Sequence, residues 1–394
     1  MNVVCDRAAL LDAINLVSGV VASRSPRPQL TCVKLAATQS DGVGELVLAA
    51  TDAEIALHIT VPQVQVREPG EALIPADKLK QIISAEDNEA TLTLETDGET
   101  CHIKGVDAHF KVYGYPPGEF PPVPDFQAAS TGAGGGPPAK SVFSAEAGTL
   151  NLLVDRTLFA TARENSRYAI NGVLMKRDGR KVEMVATDGR RLALCKAQLA
   201  ASEKDGDPAS CIIPNKALTL LSRLLGTNNE PVHVAITDSQ ALFNIGAPEP
   251  SATGRATLST NLVDGNFPPY EDVIPRDQDK KITFDRDVLF SGVKRAALLT
   301  NEESRGVRLA FDGKGKRVEL TSRAPEMGEA QITLDVAEYD GDDVEIGFNP
   351  GFILEALRVI PDTQVLMELK ASNKPGLIRS GADFTYVVMP VSLT

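Results

Sequence analysis

Three stretches of this chain carry one pattern at long, near-equal spacing. They are Ile74-Pro75-Ala76-Asp77-Lys78-Leu79-Lys80-Gln81-Ile82-Ile83, Ile213-Pro214-Asn215-Lys216-Ala217-Leu218-Thr219-Leu220-Leu221 and Phe348-Asn349-Pro350-Gly351-Phe352-Ile353-Leu354-Glu355-Ala356-Leu357. Each reads as a short apolar lead-in, a proline or cap, and then an amphipathic helix. Pro75, Pro214 and Pro350 stand 139 and 136 residues apart. Solenoid units run only about 20 to 50 residues, so this period describes a whole domain present three times.

Other features keep the same phase. Ala50-Thr51-Asp52 returns as Ala186-Thr187-Asp188, with Thr321-Ser322-Arg323 at the third position. Each triplet follows a strand of alternating character: Glu45–Leu48, Lys181–Val185 and Arg317–Leu320. Each copy also opens with a predicted helix, over Asp6–Val20, Ala145–Arg163 and Asp285–Leu299. Apolar residues spaced three and four apart give each helix one face for a sheet. Asp6 and Asp285 suit N-cap or first-turn positions. Helix, strands, helix, strands, three times over, is an α+β plan with mostly antiparallel sheets. The expected domains are 1–127, 141–276 and 277–394, joined by a Gly/Pro-rich linker at 128–140.

Composition narrows the function. No apolar run approaches the roughly 20 residues that span a bilayer. Asp6 and Arg7 sit where a signal peptide would carry its apolar core. The five cysteines are scattered, odd in number and never in a CxxC pair, which suits reduced thiols in a cytoplasm. The formal net charge of −13 speaks against a simple nucleic-acid binder. The helix-rich segments are nevertheless basic, with Arg7, Arg24, Lys78, Lys80, Arg156, Arg163, Lys216, Arg223, Lys294, Arg295 and Arg358. Acids gather elsewhere, as in Glu203–Asp207 and Glu338–Asp343. A positive surface on an acidic body and an ordinary set of solvated helix faces are both open on these grounds.

Gln127–Lys140 is rich in Gly, Ala, Ser and Pro and reads as a flexible linker. Its glycines precede Pro137-Pro138 instead of a helix, so they do not form a dinucleotide loop. Arg276–Lys281 reads as a polar connector. No catalytic pattern is present: no HExxH, no GxSxG, no phosphate-binding GxxxxGK[ST]. Gly313-Lys314-Gly315-Lys316 reads as a hairpin turn. Cys101 and His102 are adjacent on a predicted strand and point to opposite faces. His58, His102, His109 and His233 lack ligand spacing, so no metal site is expected. Asp52 and Asp188 read as turn aspartates that bond their own backbone.

Several motifs together point to a family. They are Arg167-Tyr168-Ala169-Ile170-Asn171-Gly172, Val185-Ala186-Thr187-Asp188-Gly189-Arg190-Arg191-Leu192-Ala193, Asn266-Phe267-Pro268-Pro269-Tyr270-Glu271-Asp272-Val273-Ile274-Pro275, Ser304-Arg305-Gly306-Val307-Arg308 and the C-terminal Tyr386-Val387-Val388-Met389-Pro390-Val391-Ser392-Leu393-Thr394. In this order, and with the threefold repeat, the chain resembles the bacterial DNA polymerase III β subunits, the replicative sliding clamps. The resemblance implies three clamp domains per chain, each with two helices packed on antiparallel sheets. Two chains would join head to tail as a homodimeric ring whose helices line a hole for duplex DNA. It implies no enzymatic activity and no cofactor. Lys and Arg would balance phosphates without reading bases, so the ring slides.

By the same resemblance, Arg24 and Tyr168 match positions near DNA. Charge and helix position add Lys216, Arg223 and Lys294. A groove between the second and third domains would take a short peptide from the polymerase III catalytic subunit, the clamp loader and other replication and repair proteins carrying a clamp-binding motif. Its residues here would be Ile170, Thr187, Gly189, Arg190, Arg191, Leu192, Pro268, Val273, Val387, Met389, Pro390, Val391 and Leu393. Many relatives have histidine in place of Arg190, some have arginine in place of Asp272, and the Ser392-Leu393-Thr394 tail differs from their arginine-leucine ending. For the dimer seam the resemblance points to Leu298 and Leu299, with Lys78 and Lys104 facing Glu326 and Glu329. Two alternatives stay open: a clamp-like paralogue serving another DNA process, and a nucleic-acid-modifying enzyme with a threefold body.

Overall fold

A computed structural model describes all residues except 23, 41, 134–136, 163–168, 201–207, 227–228, 301–305 and 393–394. The chain forms two compact units, Met1–Asn151 with Leu199–Leu262, and Leu152–Gln198 with Val263–Thr394.

The described helices are α1 (Arg7–Val17), α2 (Ala76–Ala85), α3 (Phe126–Thr131), α4 (Ala147–Leu158), α5 (Asn215–Leu224), α6 (Arg286–Ala296) and α7 (Pro350–Arg358). Six of them are the two expected per copy. Asp6 caps α1 by accepting the Ala9 N–H at 2.8 Å, and Asp285 caps α6 through Asp287 and Val288, each at 3.0 Å. Asn349 does the same for α7 by accepting the Gly351 N–H at 2.9 Å. These bonds satisfy N–H groups that the first helical turn leaves unpaired. On α1, Leu10, Ile14 and Val17 are fully buried, as their spacing requires. The opening helices stop earlier than their apolar runs. In α1, Ser18 turns its hydroxyl back onto the Ile14 carbonyl at 2.6 Å.

The first unit holds two antiparallel sheets. The five-stranded sheet runs Val64–Glu68, Asn2–Asp6, Thr91–Asp97, Thr100–Lys104, His109–Tyr113. The eight-stranded sheet runs Ser141–Glu146, Pro231–Ile236, Gln240–Ile245, Ala256–Asn261, Ile55–Val61, Val43–Thr51, Cys32–Ser40, Gly70–Pro75. Its middle step joins the first copy to the second: Ala256–Asn261 pairs with Ile55–Val61, placing Leu258 opposite Leu57.

The second unit repeats that joint. Its larger sheet includes, in order, Gly172–Asp178, Lys181–Thr187, Arg191–Gln198, Phe384–Val388, Gly376–Ser380, Gln364–Leu369, Lys280–Asp285 and Glu338–Asp340. Arg191–Gln198 of the second copy pairs with Phe384–Val388 of the third, with Ala193 opposite Tyr386. The smaller sheet runs Gly328–Asp335, Arg317–Ala324, Val307–Asp312, Val344–Phe348. In both joints, the strand after the Thr-Asp triplet meets the last strand of the following copy. Among the described residues this leaves two edges of the same kinds unpaired, Gly328–Asp335 in the third copy and His109–Tyr113 in the first. An open edge presents a row of unpaired backbone donors and acceptors to another strand.

The two Thr-Asp triplets build the same turn. Thr51 Oγ1 donates to the Ile55 carbonyl at 2.9 Å, and Asp52 Oδ1 accepts the Glu54 and Ile55 N–H groups at 3.0 and 2.8 Å. Thr187 Oγ1 donates to Arg191 O at 2.6 Å, and Asp188 Oδ1 accepts Arg190 and Arg191 N–H at 2.9 and 3.1 Å. The residue after each aspartate is left-handed: Ala53 at φ 77°, Gly189 at φ 84°. A side chain there costs about 1 kcal/mol. Ala53→Gly should therefore raise the thermal midpoint and Gly189→Ala lower it by a few degrees. Shifts of the same sign would show that the two turns are not equivalent. In the third copy the strand runs through the triplet, and Ser322 is buried with its hydroxyl on Ala296 O at 2.7 Å.

The segment read as a flexible linker over Gln127–Lys140 opens in a short helix. Asp125 accepts the Ala128 N–H at 2.8 Å and starts α3, which ends on Gly132 at φ 76°. Phe126 is buried against Ala235 and Leu242, and the Lys140 N–H reaches Ile236 O at 2.7 Å. One buried aromatic and a cap hold the start of this segment on the sheet, despite its composition. The Arg276–Lys281 connector is also pinned: Lys370 meets Asp277 at 2.6 Å, and Gln278 donates to Pro375 O at 2.7 Å. Gly313–Lys316 is the expected hairpin turn, held by the Gly315 N–H on Asp312 at 2.8 Å.

Candidate functional site

One groove in the second unit, about 190 Å³, is lined by Ile170, Thr187, Gly189, Arg190, Arg191, Leu192, Pro268, Tyr270, Val273, Val387 and Met389. It brings together ten of the expected groove residues. Three elements build it. The Thr-Asp turn supplies one wall. The Pro268–Val273 segment supplies another, through a 3-10 turn over Tyr270–Asp272. The strand end at Val387 and Met389 supplies the third. The lining is mostly apolar, and Val273 and Met389 keep 45% and 39% of their surface exposed. Large apolar side chains left open around a concavity are unfavourable in isolation and mark a surface made to be covered.

Pro390 and Val391 lie beyond the lining. The Met389 N–H donates to Arg190 O, and the Val391 N–H to Gly347 O, both at 2.9 Å. The tail is thus tied first to the groove wall and then to the smaller sheet. Leu393 lies outside the described residues.

Tyr270 is a lining residue that the sequence reading missed. It is buried with its phenol pushed up by burial, and Lys176 donates to its hydroxyl at 3.1 Å. Lys176 also pairs with Glu271 at 3.1 Å; the Tyr270 hydrogen bond and these charges hold its amine above the usual range. An aromatic beside Pro268-Pro269 was the available signal: it packs edge-on to Phe267 with ring centroids 6.3 Å apart.

Arg190 and Arg191 are neighbours with opposite fates. Arg191 is buried. Its Nε meets Asp188 Oδ2 at 3.0 Å, its Nη2 donates to Phe159 O at 2.7 Å, and its Nη1 pairs with Glu355. Its guanidinium also stacks 4.4 Å from the Phe352 ring centroid. It therefore ties the groove wall to the end of α4 and to α7. A polar cavity of about 210 Å³ lies along it, lined by Thr161, Asp188, Asn349, Gly351, Phe352 and Glu355. Arg190 instead points its side chain into solvent, with no partner among the described residues.

The expected DNA-facing residues divide. Arg24, Arg223 and Lys294 are exposed and have no partner among the described residues. Lys216 is engaged: its Nζ donates to Asp52 Oδ2 at 2.5 Å and to Val20 O at 3.4 Å, clasping α5 to the first copy's turn. Its charge is largely matched within the chain. Tyr168 lies outside the described residues.

Of the seam residues, Leu298 is 69% exposed, and Leu299 reaches toward the Gly328 backbone beside the exposed Met327. Lys104 pairs with Glu95, and Lys78 lies 3.7 Å from Asp77. Glu329 pairs with Arg323 at 3.0 Å. The expected lysine–glutamate contacts would have to compete with these pairs, while Leu298 stands open and Leu299 is half-buried.

Elsewhere the chemistry is structural. Cys101 is buried while His102 faces the other side and meets His109 across the hairpin, Nδ1 to Nε2 at 2.9 Å. His233 is buried between the Ser144 hydroxyl at 2.7 Å and Ala247 O at 3.0 Å. All five cysteines are free and buried. Burial pushes Cys5, Cys101 and Cys211 up to about 12 and Cys32 to about 11, so they carry essentially no thiolate near neutral pH.

Comparison with known proteins agrees with this architecture. Family models of the DNA polymerase III β subunit match in order: the N-terminal domain over residues 1–124, the central domain over 145–269 and the C-terminal domain over 271–392. The β sliding clamp of Pseudomonas aeruginosa is 34% identical over 395 residues, and that of Escherichia coli K12 is 31% identical; both alignments cover 100% of each chain. The crystal structure of the Pseudomonas aeruginosa DnaN sliding clamp bound to griselimycin superposes with a TM-score of 0.87 at 33% identity, covering 100% of both chains. The Bacillus subtilis DNA polymerase sliding clamp gives 0.87 at 25%, with the same coverage. The chain belongs to the DNA polymerase III β subunit family and has its three-domain sliding-clamp fold.

Proposed function

We propose that this chain is a replicative sliding clamp: a non-enzymatic ring that encircles duplex DNA without reading sequence and tethers the replicative polymerase to it. The observation that carries the ring is the pair of open sheet edges. Copies one and two, and copies two and three, are joined by the strand after the triplet meeting the next copy's last strand. The third copy's strand Gly328–Asp335 and the first copy's strand His109–Tyr113 lack that partner among the described residues. A second copy supplies both at once, so a head-to-tail homodimer leaves neither of these two edges open. Leu298 and Leu299 sit beside the first of these edges and would form the apolar part of the seam. Lys78 and Lys104 would stand on the opposing side.

Within such a ring, Arg24, Arg223 and Lys294 would face phosphate, and the family resemblance adds Tyr168 to the DNA-facing set. Lys216 would contribute less, because Asp52 already neutralises it. The groove would hold short apolar peptides from the polymerase III catalytic subunit, the clamp loader and other replication and repair proteins. Met389, followed by Pro390 and Val391, would form its lip, and the resemblance adds Leu393. We assign the clamp domains to 1–127, 141–276 and 277–394, with 128–140 as a connector that begins in α3. No described helix is long and apolar enough to cross a membrane, and a cytoplasmic location beside the chromosome fits the role.

The test is topological. Protein loaded onto nicked circular DNA by its loader and ATP should stay on the circle and run off once the DNA is cut. Equal retention on circular and linear DNA would mean ordinary surface binding and would overturn the ring.

A further inference from the structure

We propose that the groove selects partner peptides by charge as well as by apolar fit, and that Arg190 is the specificity-determining residue, recognising a carboxylate that flanks the apolar anchors. This rests on the groove being a peptide site. Arg190 is fixed at its backbone, because its N–H donates to Asp188 Oδ1 at 2.9 Å and its carbonyl accepts the Met389 N–H at 2.9 Å. Its side chain lines the groove rim, exposed and unpaired among the described residues.

The nearby acids cannot answer it. Asp188 gives Oδ1 to two backbone N–H groups and Oδ2 to Arg191 Nε at 3.0 Å. Glu355 is paired with Arg191, and Glu271 with Lys176. Among the described residues, the remaining acid near the rim is Asp272, exposed beside the lining residue Val273. Among the described residues, the rim therefore carries one unpaired positive group on the Thr-Asp turn and one negative group on the Pro268–Val273 wall. A peptide with its acid beside Arg190 and none beside Asp272 complements both. A guanidinium suits this task, since it stays charged and presents a planar fork to a carboxylate.

The experiment compares two blocked peptides with the same leucine and phenylalanine anchors, one flanked by glutamates and one by glutamines, binding to the full-length protein by fluorescence anisotropy. The glutamate peptide should bind about fivefold more tightly at low salt, the scale of one exposed charge pair. That ratio should fall toward one in high salt, which screens exposed charges. In Arg190→Gln the ratio should be near one at every salt concentration. In Asp272→Asn it should rise. Equal binding of the two peptides to the unaltered protein overturns the charge selection and leaves the groove standing. A preference that persists in Arg190→Gln also overturns it, by placing the carboxylate elsewhere. Failure of both peptides to bind overturns the groove itself.

Discussion

Removing Met389–Thr394 is expected to weaken binding of an apolar partner peptide roughly 30-fold or more while leaving the dimer intact. Met389 is one of the two groove residues with large apolar surface still open, and its N–H bond to Arg190 O fixes the lip to the turn. The truncation removes that anchor and the Val391 bond to Gly347, which lays the tail along the smaller sheet. Loss of a central apolar anchor costs about 2–4 kcal/mol, or roughly 30- to 1,000-fold. Val273→Asp tests the opposite wall with the tail intact. It is exposed enough for the fold to tolerate the change, and it puts a second charge beside Asp272. Titration with a fluorescent peptide reads both variants. Unchanged affinity in the two of them would remove the groove from the peptide's path.

The second large effect is on assembly. Replacing Leu298 and Leu299 with aspartate should convert the ring to monomers at micromolar concentration. A two-fold head-to-tail ring contains the seam twice, so each substitution acts at both joints. Burying an unpaired charge costs about 3 kcal/mol or more per site. Two seams then weaken the dimer by roughly 10⁴-fold or beyond. Sedimentation velocity distinguishes the states. The variants should still bind peptide, because the groove lies wholly on other elements. A persistent dimer would place the seam elsewhere and would make the open Gly328–Asp335 edge irrelevant to it.

Much of the fold was legible because it is written three times. The Pro75, Pro214 and Pro350 spacing located three helices, and the Asp6 and Asp285 caps located two more, all from local physics. What stayed hidden depended on distant partners. Lys216 looks like a free helix cation until Asp52, 164 residues away, is seen to hold it. Arg190 and Arg191 are indistinguishable in sequence, yet Glu355 and Phe159 O bury one and leave the other open. The Gly-rich run concealed α3 because its composition outweighed two informative residues, Asp125 and Phe126. Most of the groove was legible through resemblance alone. Apolar residues such as Leu192 and Val387 would otherwise read as core, and both are indeed almost wholly enclosed.

The burial of all five thiols has a practical consequence. None offers a thiolate at the surface, so the native chain should be silent toward maleimides without any cysteine being replaced. One cysteine introduced at an exposed seam position such as Leu298 would then be the sole accessible thiol among the described residues. A dye placed there would report opening and closing in an otherwise unaltered background. A bifunctional cross-linker joining it to a cysteine placed on the partner's facing edge would lock the ring shut.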